Sequence, residues 1–408
     1  MKKVLQIALG ILTAIGGFVD IGDLVANSET GARFRMSLAW VVVVGVIGIV
    51  VYAEMAGRVA ALSKRPVFDV IRERLGVRWA MVNLFASFFI NLLTVTAEIA
   101  GIALVVQIAT GINYLLWIPF AGFAVWLVIW RTKFSTLENV FGVLGLAMLV
   151  LVVAVWKLGQ WHTLGHEVMA VHTPPTEDWP TYFYFAIGLL GAAMTPYEVF
   201  FFSSGAVEER WTRSDLMVNR ANVYIGFPLG GLLSLALMAG AALVLAPRGI
   251  SVAHLSQVGL PVSLTLGKWG LVLLLFGIFM AVFGAALETG LSAGYTVAQF
   301  FGWQWGKSTK PSEAPRFHLV VVLTIFLAVL LALTTIDPIK VTEYSIVLAA
   351  AALPLTYFPI LVVANDPDYM GDKTNSKFGN AIAFFYLILL TIVAVATIPL
   401  MIITKAGA

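Results

Sequence analysis

The sequence contains no cysteine, which excludes disulfide frameworks, thiolate metal sites and cysteine nucleophiles. Charged residues are scarce: they make up 12% of the 408 residues, against about a quarter in soluble domains. The net charge of +3 is too small and too dispersed to predict nucleic-acid binding. A glycine-rich phosphate loop followed by Lys and Ser or Thr is also missing, so ATP-driven pumping is not expected.

Apolar residues, by contrast, are abundant, at 60% of the chain, and this predicts one membrane domain over residues 1–408 that has the lipid bilayer as its solvent. Residues 1–15 resemble a signal peptide but lack a small-residue cleavage site, so we expect a retained first span. A spanning helix needs about 20 apolar residues. Eleven such runs are predicted, at 5–32, 36–62, 77–109, 113–130, 135–157, 181–204, 217–246, 267–300, 317–335, 342–364 and 379–404.

The distribution of Lys and Arg predicts the orientation, because cytoplasmic loops accumulate these residues. With the N-terminus inside, 18 of the 25 basic residues lie on the cytoplasmic side and 7 on the other. We therefore expect a multi-pass protein of the cell (plasma or inner) membrane with a cytoplasmic N-terminus and a C-terminus outside.

Ionisable residues within the predicted spans are almost entirely acidic, and such residues are costly in a bilayer and usually functional. All five His lie in loops or at a span edge. Carboxylates without basic partners require protons, water or cations, so this inventory predicts a cation pathway. The acids are Asp20, Asp23, Glu29, Glu54, Glu98, Glu138, Glu198 and Glu288.

The first and sixth spans each carry an interruption. In the first, Gly22 lies between Asp20 and Asp23, which predicts a broken helix with two carboxylates and backbone carbonyls at one point. In the sixth, Pro196 cannot donate a hydrogen bond to the carbonyl of Ala192, which is thereby freed for an ion. An Asp that caps a helix and a simple proline kink are the structural alternatives. Paired interruptions in spans one and six favour an inverted-repeat transporter with a site near the midplane.

These residues resemble the NRAMP family of divalent metal transporters over nearly the whole chain, and most closely its magnesium-transporting subgroup. The family's Asp-Pro-Gly-Asn motif of span one appears here as Asp-Ile-Gly-Asp at 20–23, and the segment 352–371 at the exit of span ten is the clearest match. The resemblance implies an all-α, LeuT-like fold of 5+5 inverted repeats with unwound helices 1 and 6. The repeats would cover about 5–157 and 181–364, with an extra helix at about 379–404.

The resemblance also implies a metal site at Asp20, Asp23, Ala192 and Thr195, with helix breaks at Gly22 and Pro196. Manganese- and iron-carrying members have a Met where this chain has Thr195, and Met194 stands one residue early. Loss of the thioether and gain of a carboxylate favour Mg2+, held partly hydrated, with Mn2+ as a lesser substrate.

Further departures concern proton coupling and the entrance to the site. Where proton-coupled members have a His after the Pro and an Asp before the Glu of span three, this chain has Tyr197 and Val95, and Glu98 alone is kept. The sequence therefore predicts facilitated uptake without obligatory proton symport, with Glu98, Tyr197 and Glu198 as possible vestibule or coupling residues. No cofactor beyond the transported ion and no obligate protein partner is expected.

Other functions stay open at this stage. They are a proton-coupled manganese or transition-metal symporter, an amino-acid transporter of the same fold, an ion channel and an intramembrane hydrolase that uses paired carboxylates. Two acids at the break would repel an amino-acid carboxylate, and the match over the whole chain argues against an enzyme.

Overall fold

The computed structural model describes residues 2–169, 177–334 and 336–407, and within these ranges the chain forms helices and no strands. The prediction of an all-α protein is therefore confirmed. Residue 335, the last of the ninth predicted run, lies outside the described residues. The α-helices are, in chain order, α1 Lys2–Gly17, α2 Ile21–Phe34, α3 Ala39–Ser63, α4 Val67–Leu75, α5 Val77–Thr110, α6 Tyr114–Arg131, α7 Phe134–Gly145, α8 Val150–Leu158, α9 Trp161–Val168, α10 Trp179–Ala193, α11 Pro196–Glu208, α12 Leu216–Ala221, α13 Phe227–Val244, α14 Leu260–Phe301, α15 Pro315–Ala332, α16 Pro338–Ala364, α17 Pro367–Met370 and α18 Lys377–Ile403.

Ten helical segments of the described residues are long and apolar enough to cross a membrane. Several join consecutive helices, such as α10 with α11 and α7 with α8. The remaining predicted run is the pair α1 and α2, whose 16 and 14 residues are each too few to cross alone. Together the broken pair and the ten segments correspond to the eleven predicted spans.

Of the broken helices, α2, α10 and α11 lie in the interior of the bundle, whereas α6, α15 and α18 form much of its periphery. The segment that contains α10 and α11 is the most buried of the ten, and α18 is the least buried. Large apolar side chains such as Phe120, Phe326 and Ile392 are exposed on the peripheral helices. In a bilayer these side chains contact lipid tails, so their exposure carries no penalty.

Small residues hold the second broken helix against α16. A Cβ atom added to Gly191 would lie 2.0 Å from the backbone oxygen of Ile346, a distance that no real side chain tolerates. Small residues commonly permit this close approach of helix backbones in membranes. The contact fixes α10 one turn before its break.

Candidate cation site

The first helix is interrupted at Phe18–Asp20, between the end of α1 and the start of α2. Asp20 caps α2, because its Oδ1 atom accepts a hydrogen bond of 2.8 Å from the Asp23 amide. The prediction that Gly22 forms the break is wrong: the cap restarts the helix at Ile21, so Gly22 lies in the first turn of α2. Its missing side chain instead leaves room for Ile346, whose Cγ2 atom would lie 2.7 Å from an added Cβ.

The second interruption lies at Met194 and Thr195, between α10 and α11. Pro196 is the first residue of α11, where its missing amide costs nothing within that helix. The Thr195 hydroxyl donates to Glu198 Oε2 over 3.4 Å, and the Tyr357 hydroxyl donates to the Met194 carbonyl over 3.1 Å. The break is therefore held by α16 as well as by its own helix.

Asp20 links the two breaks directly. Its Oδ2 atom accepts a hydrogen bond of 3.2 Å from the hydroxyl of Tyr197, the second residue of α11. Both side chains are buried, and the Tyr197 carbonyl in turn accepts a hydrogen bond from Ser292 of α14. Asp20 and Tyr197, which are 177 positions apart, are thus brought together as the pairing of broken helices requires.

Asp23 is held by partners on two helices. Its Oδ1 atom accepts hydrogen bonds from Asn27 Nδ2 at 2.9 Å and from Ser234 Oγ of α13 at 3.2 Å. Asn27 also donates to the Asp23 carbonyl at 2.9 Å. The Asp23 carboxylate is therefore fixed through Oδ1. In the described part of the chain, Asp23 Oδ2 accepts no hydrogen bond.

Glu98 of α5 also reaches the first break. Its Oε1 atom accepts a hydrogen bond of 3.2 Å from the Ile21 amide, while its buried Oε2 atom has no hydrogen-bond partner among the described residues. The amide it accepts from is one of the unpaired donors at the start of α2. Glu98 thus reaches the residue next to Asp20, and among the described residues no hydrogen bond joins the two carboxyl groups.

Negative charge is concentrated here without basic compensation. In residues 2–169, 177–334 and 336–407, none of Asp20, Asp23, Glu98 and Glu198 takes part in an ion pair with Lys or Arg. The same ranges hold no cluster of three or more His, Cys, Asp or Glu able to hold a metal. A cation bound at Asp20 and Asp23 would consequently take its other ligands from carbonyls, hydroxyls or water.

Two of the acids predicted to lack basic partners do have them. Glu54 accepts hydrogen bonds of 3.1 Å from Arg58, one turn away on α3, and both residues are buried. Glu29 lies 3.8 Å from Arg33 and accepts a hydrogen bond from the Val252 amide. That part of the prediction is wrong, because the i,i+4 spacing places each pair on one helix face. These two acids are structural and separate from the site.

Four residues that support the site were missed by the sequence analysis. Asn27 carries a usable signal, since it follows Asp23 by one helical turn. Ser234, Ser292 and Tyr357 carry none, because they reach the breaks from α13, α14 and α16, more than 90 residues away in sequence.

The family model described as Nramp, natural resistance-associated macrophage protein-like, matches residues 10–399. The chain belongs to the NRAMP family. Among its NRAMP relatives, the divalent metal cation transporter MntH of Erwinia tasmaniensis is 26% identical over 382 residues, which cover 88% of this chain and 86% of that protein. MntH of Vibrio campbellii is 25% identical over 385 residues, covering 92% and 88% of the two chains.

Solved structures show the fold of this NRAMP protein. The manganese transporter of Eremococcus coleocola, in complex with an aromatic bis-isothiourea substituted compound, superimposes with a TM-score of 0.71 at 19% identity and covers 95% of this chain and 85% of its own. The predicted LeuT-like fold is confirmed, as is the prediction of a transporter and not an enzyme. The repeat boundaries and the roles of the site residues stay predictions.

Proposed function

We propose that this NRAMP protein carries divalent metal ions across the membrane, with partly hydrated Mg2+ as the main substrate and Mn2+ as a lesser one. The relatives named as divalent metal cation transporters support the general activity. The proposed ligands are the carboxylates of Asp20 and Asp23, the Ala192 carbonyl and the Thr195 hydroxyl. All of these are oxygen donors, which suit magnesium.

One observation carries the preference for a hard cation. The thioether of Met194, the residue before Thr195, packs against α3: a Cβ added to Gly48 would lie 2.5 Å from its sulfur. The sulfur is therefore packed against another helix, and softer transition metals lose the ligand that favours them. Thr195 stands where manganese- and iron-carrying members have a Met, and its smaller side chain favours an ion that keeps some of its water.

Transport would proceed by alternating access around the paired breaks. The N-terminal end of α1 is proposed to face the cytoplasm, in accord with the excess of Lys and Arg on that side. Arg33 at the far end of α2 donates a hydrogen bond of 2.7 Å to the Gly407 carbonyl. This contact supports a C-terminus on the side opposite to the start of α1, as eleven crossings require.

Uptake is further proposed not to require proton symport. Tyr197 stands after Pro196 and donates to Asp20, and a phenol does not exchange protons near neutral pH as an imidazole does. A proton-coupled manganese symporter is the second candidate, because the structural neighbour from Eremococcus coleocola is named a manganese transporter and Glu98 lies beside the first break.

Proteoliposomes test the proposal. We expect saturable Mg2+ uptake that disappears when Asp20→Ala is combined with Asp23→Ala, and no Mg2+-dependent acidification reported by an enclosed pH dye. Glu313→Gln, which removes an exposed loop carboxylate, is the matched control and should leave uptake unchanged. Mg2+ uptake indifferent to both Asp residues would overturn the assignment of the site, and proton influx that rises with Mg2+ would overturn uncoupled transport.

A further inference from the structure

A small polar cavity lies on the α1 side of the two breaks. It has a volume of about 50 Å3 and is bounded by α1, α11, α13, α14 and the π-helical turn Asn222–Gly226. Its polar lining consists of Thr13, Asn222, Glu198 and Glu288, and phenylalanine side chains form much of the rest. A single water needs only about 10–15 Å3 of such space, so the cavity has room for an ion with some of its water.

Asn222 is the residue that points to a ligand here. Its side chain is only 7% exposed, it lines the cavity, and its Oδ1 atom has no hydrogen-bond partner among the described residues. A buried carbonyl oxygen left unpaired costs about 1–3 kcal/mol, so native structures seldom keep one without a role. It is the first residue of a π-helical turn, a feature frequent at functional sites.

Gly10 of α1 leaves the space that the Asn222 side chain occupies. A Cβ atom at Gly10 would lie 2.4 Å from Asn222 Oδ1 and 2.5 Å from its Nδ2 atom. Similarly, a Cβ at Gly226 would lie 2.5 Å from the Ala14 side chain. Two glycines, one on each side, therefore let α1 pack directly onto the π turn and enclose the amide.

The donor set of this cavity matches a hard cation. Glu198 and Glu288 supply carboxylates from α11 and α14, Asn222 supplies an amide oxygen, and Thr13 supplies a hydroxyl. Oxygen ligands of this kind, with retained water, bind Mg2+ and Mn2+. Glu198 also accepts the hydrogen bond from Thr195, so its carboxylate lies between the cavity and the second break.

We propose that this cavity is a second binding site for a divalent cation, occupied by the ion after it leaves Asp20 and Asp23 and before it reaches the side of the membrane on which α1 begins. The inference rests on the proposed function. Glu198 serves as the carboxylate common to both positions, and Glu288 with Asn222 completes the second one. A chain of weaker sites lets an ion leave a tight one, as in other ion pathways.

The test uses the full-length protein in nanodiscs and Mn2+ alone as the probe, with free Mn2+ measured by electron paramagnetic resonance. In the Asp20→Ala with Asp23→Ala background, we expect one Mn2+ to stay bound and to be displaced by Mg2+. Adding Glu288→Gln should weaken this binding about tenfold or more, because loss of even a group that orients a ligand weakens metal binding about 10- to 100-fold. Adding Glu313→Gln instead should leave it unchanged.

Variants of Asn222 provide a second measurement, in which a variant that merely failed to fold could not give the expected result. Asn222→Asp replaces the amide by a carboxylate of the same shape and should tighten the retained Mn2+, whereas Asn222→Ala should weaken it. A background protein that binds no Mn2+, or binding indifferent to both Glu288 and Asn222, would overturn the second site while leaving the proposed function intact. Wild-type protein that neither binds nor transports Mn2+ or Mg2+ would instead overturn the proposed function.

Discussion

Replacing Tyr197 by Phe removes one hydroxyl and tests how the candidate site is oriented. Asp20 Oδ1 is occupied by the Asp23 amide at 2.8 Å, so the hydrogen bond of 3.2 Å from Tyr197 sets the direction of Oδ2, the oxygen left for a cation. Tyr197 is itself fixed, because it is buried and its carbonyl is held by Ser292. A Phe ring fills the same space, so the change isolates the hydrogen bond.

The size of the effect follows from two magnitudes. A hydrogen bond to a charged group contributes about 1.5–3 kcal/mol. Loss of a partner that orients a metal ligand weakens metal binding about 10- to 100-fold, and each tenfold step corresponds to about 1.4 kcal/mol. We therefore expect the Mg2+ concentration for half-maximal uptake to rise 10- to 100-fold in Tyr197→Phe.

Mg2+ uptake into proteoliposomes, measured over a range of Mg2+ concentrations, gives this value directly. Tyr369→Phe is the matched control: its hydroxyl donates to Glu73 Oε1 over 2.9 Å, and neither residue belongs to either break. It should leave half-saturation unchanged. Tighter Mg2+ binding in Tyr197→Phe would refute the orienting role, because it would mean that the hydroxyl competes with the cation for Asp20.

Two predictions concern stability. Gly191→Ala should destabilise the protein by about 1–3 kcal/mol or more, because its Cβ would clash with the Ile346 carbonyl at 2.0 Å. Gly188→Ala, whose nearest contact would be 3.6 Å, should be tolerated. Thermal unfolding in detergent measures both variants, and an equal loss of stability in the two would contradict the packing. Glu54→Leu should cost about 3 kcal/mol by leaving the buried Arg58 without its carboxylate, and an unfolding midpoint unchanged from wild type would contradict it.

The sequence was sufficient to predict the spans and the two interrupted helices, because Gly, Pro and acidic residues within long apolar runs have direct backbone consequences. It did not place the first break correctly. Whether a helix resumes before or after Gly22 depends on the cap that the Asp20 side chain makes with the Asp23 amide. That hydrogen bond is local, between residues three apart, and it corresponds to the capping alternative that the sequence left open. The glycine pattern alone does not decide between the two.

Contacts between distant segments could not be predicted at all. The Tyr197 hydroxyl reaches Asp20 and the Ser234 hydroxyl reaches Asp23 only because the bundle brings α11 and α13 beside α2. The buried pair of Glu54 and Arg58 is different, since its i,i+4 spacing was visible in the sequence and indicates an ion pair. Proper use of that spacing would have removed Glu54 from the cation pathway.

The preference for a hard cation is tested most directly by Thr195→Met. This variant places a thioether at the second break, where Met194 now turns its own sulfur toward α3. Uptake of Mg2+ and Mn2+ would be measured side by side in proteoliposomes, with Thr195→Ser as the control that keeps the hydroxyl. We expect Mg2+ to be the better substrate of wild type and of Thr195→Ser, and the ratio of Mn2+ to Mg2+ uptake to rise about tenfold or more in Thr195→Met, since thioethers favour softer metals. A wild type that prefers Mn2+, or a ratio that Thr195→Met leaves unchanged, would contradict a magnesium site built from oxygen ligands.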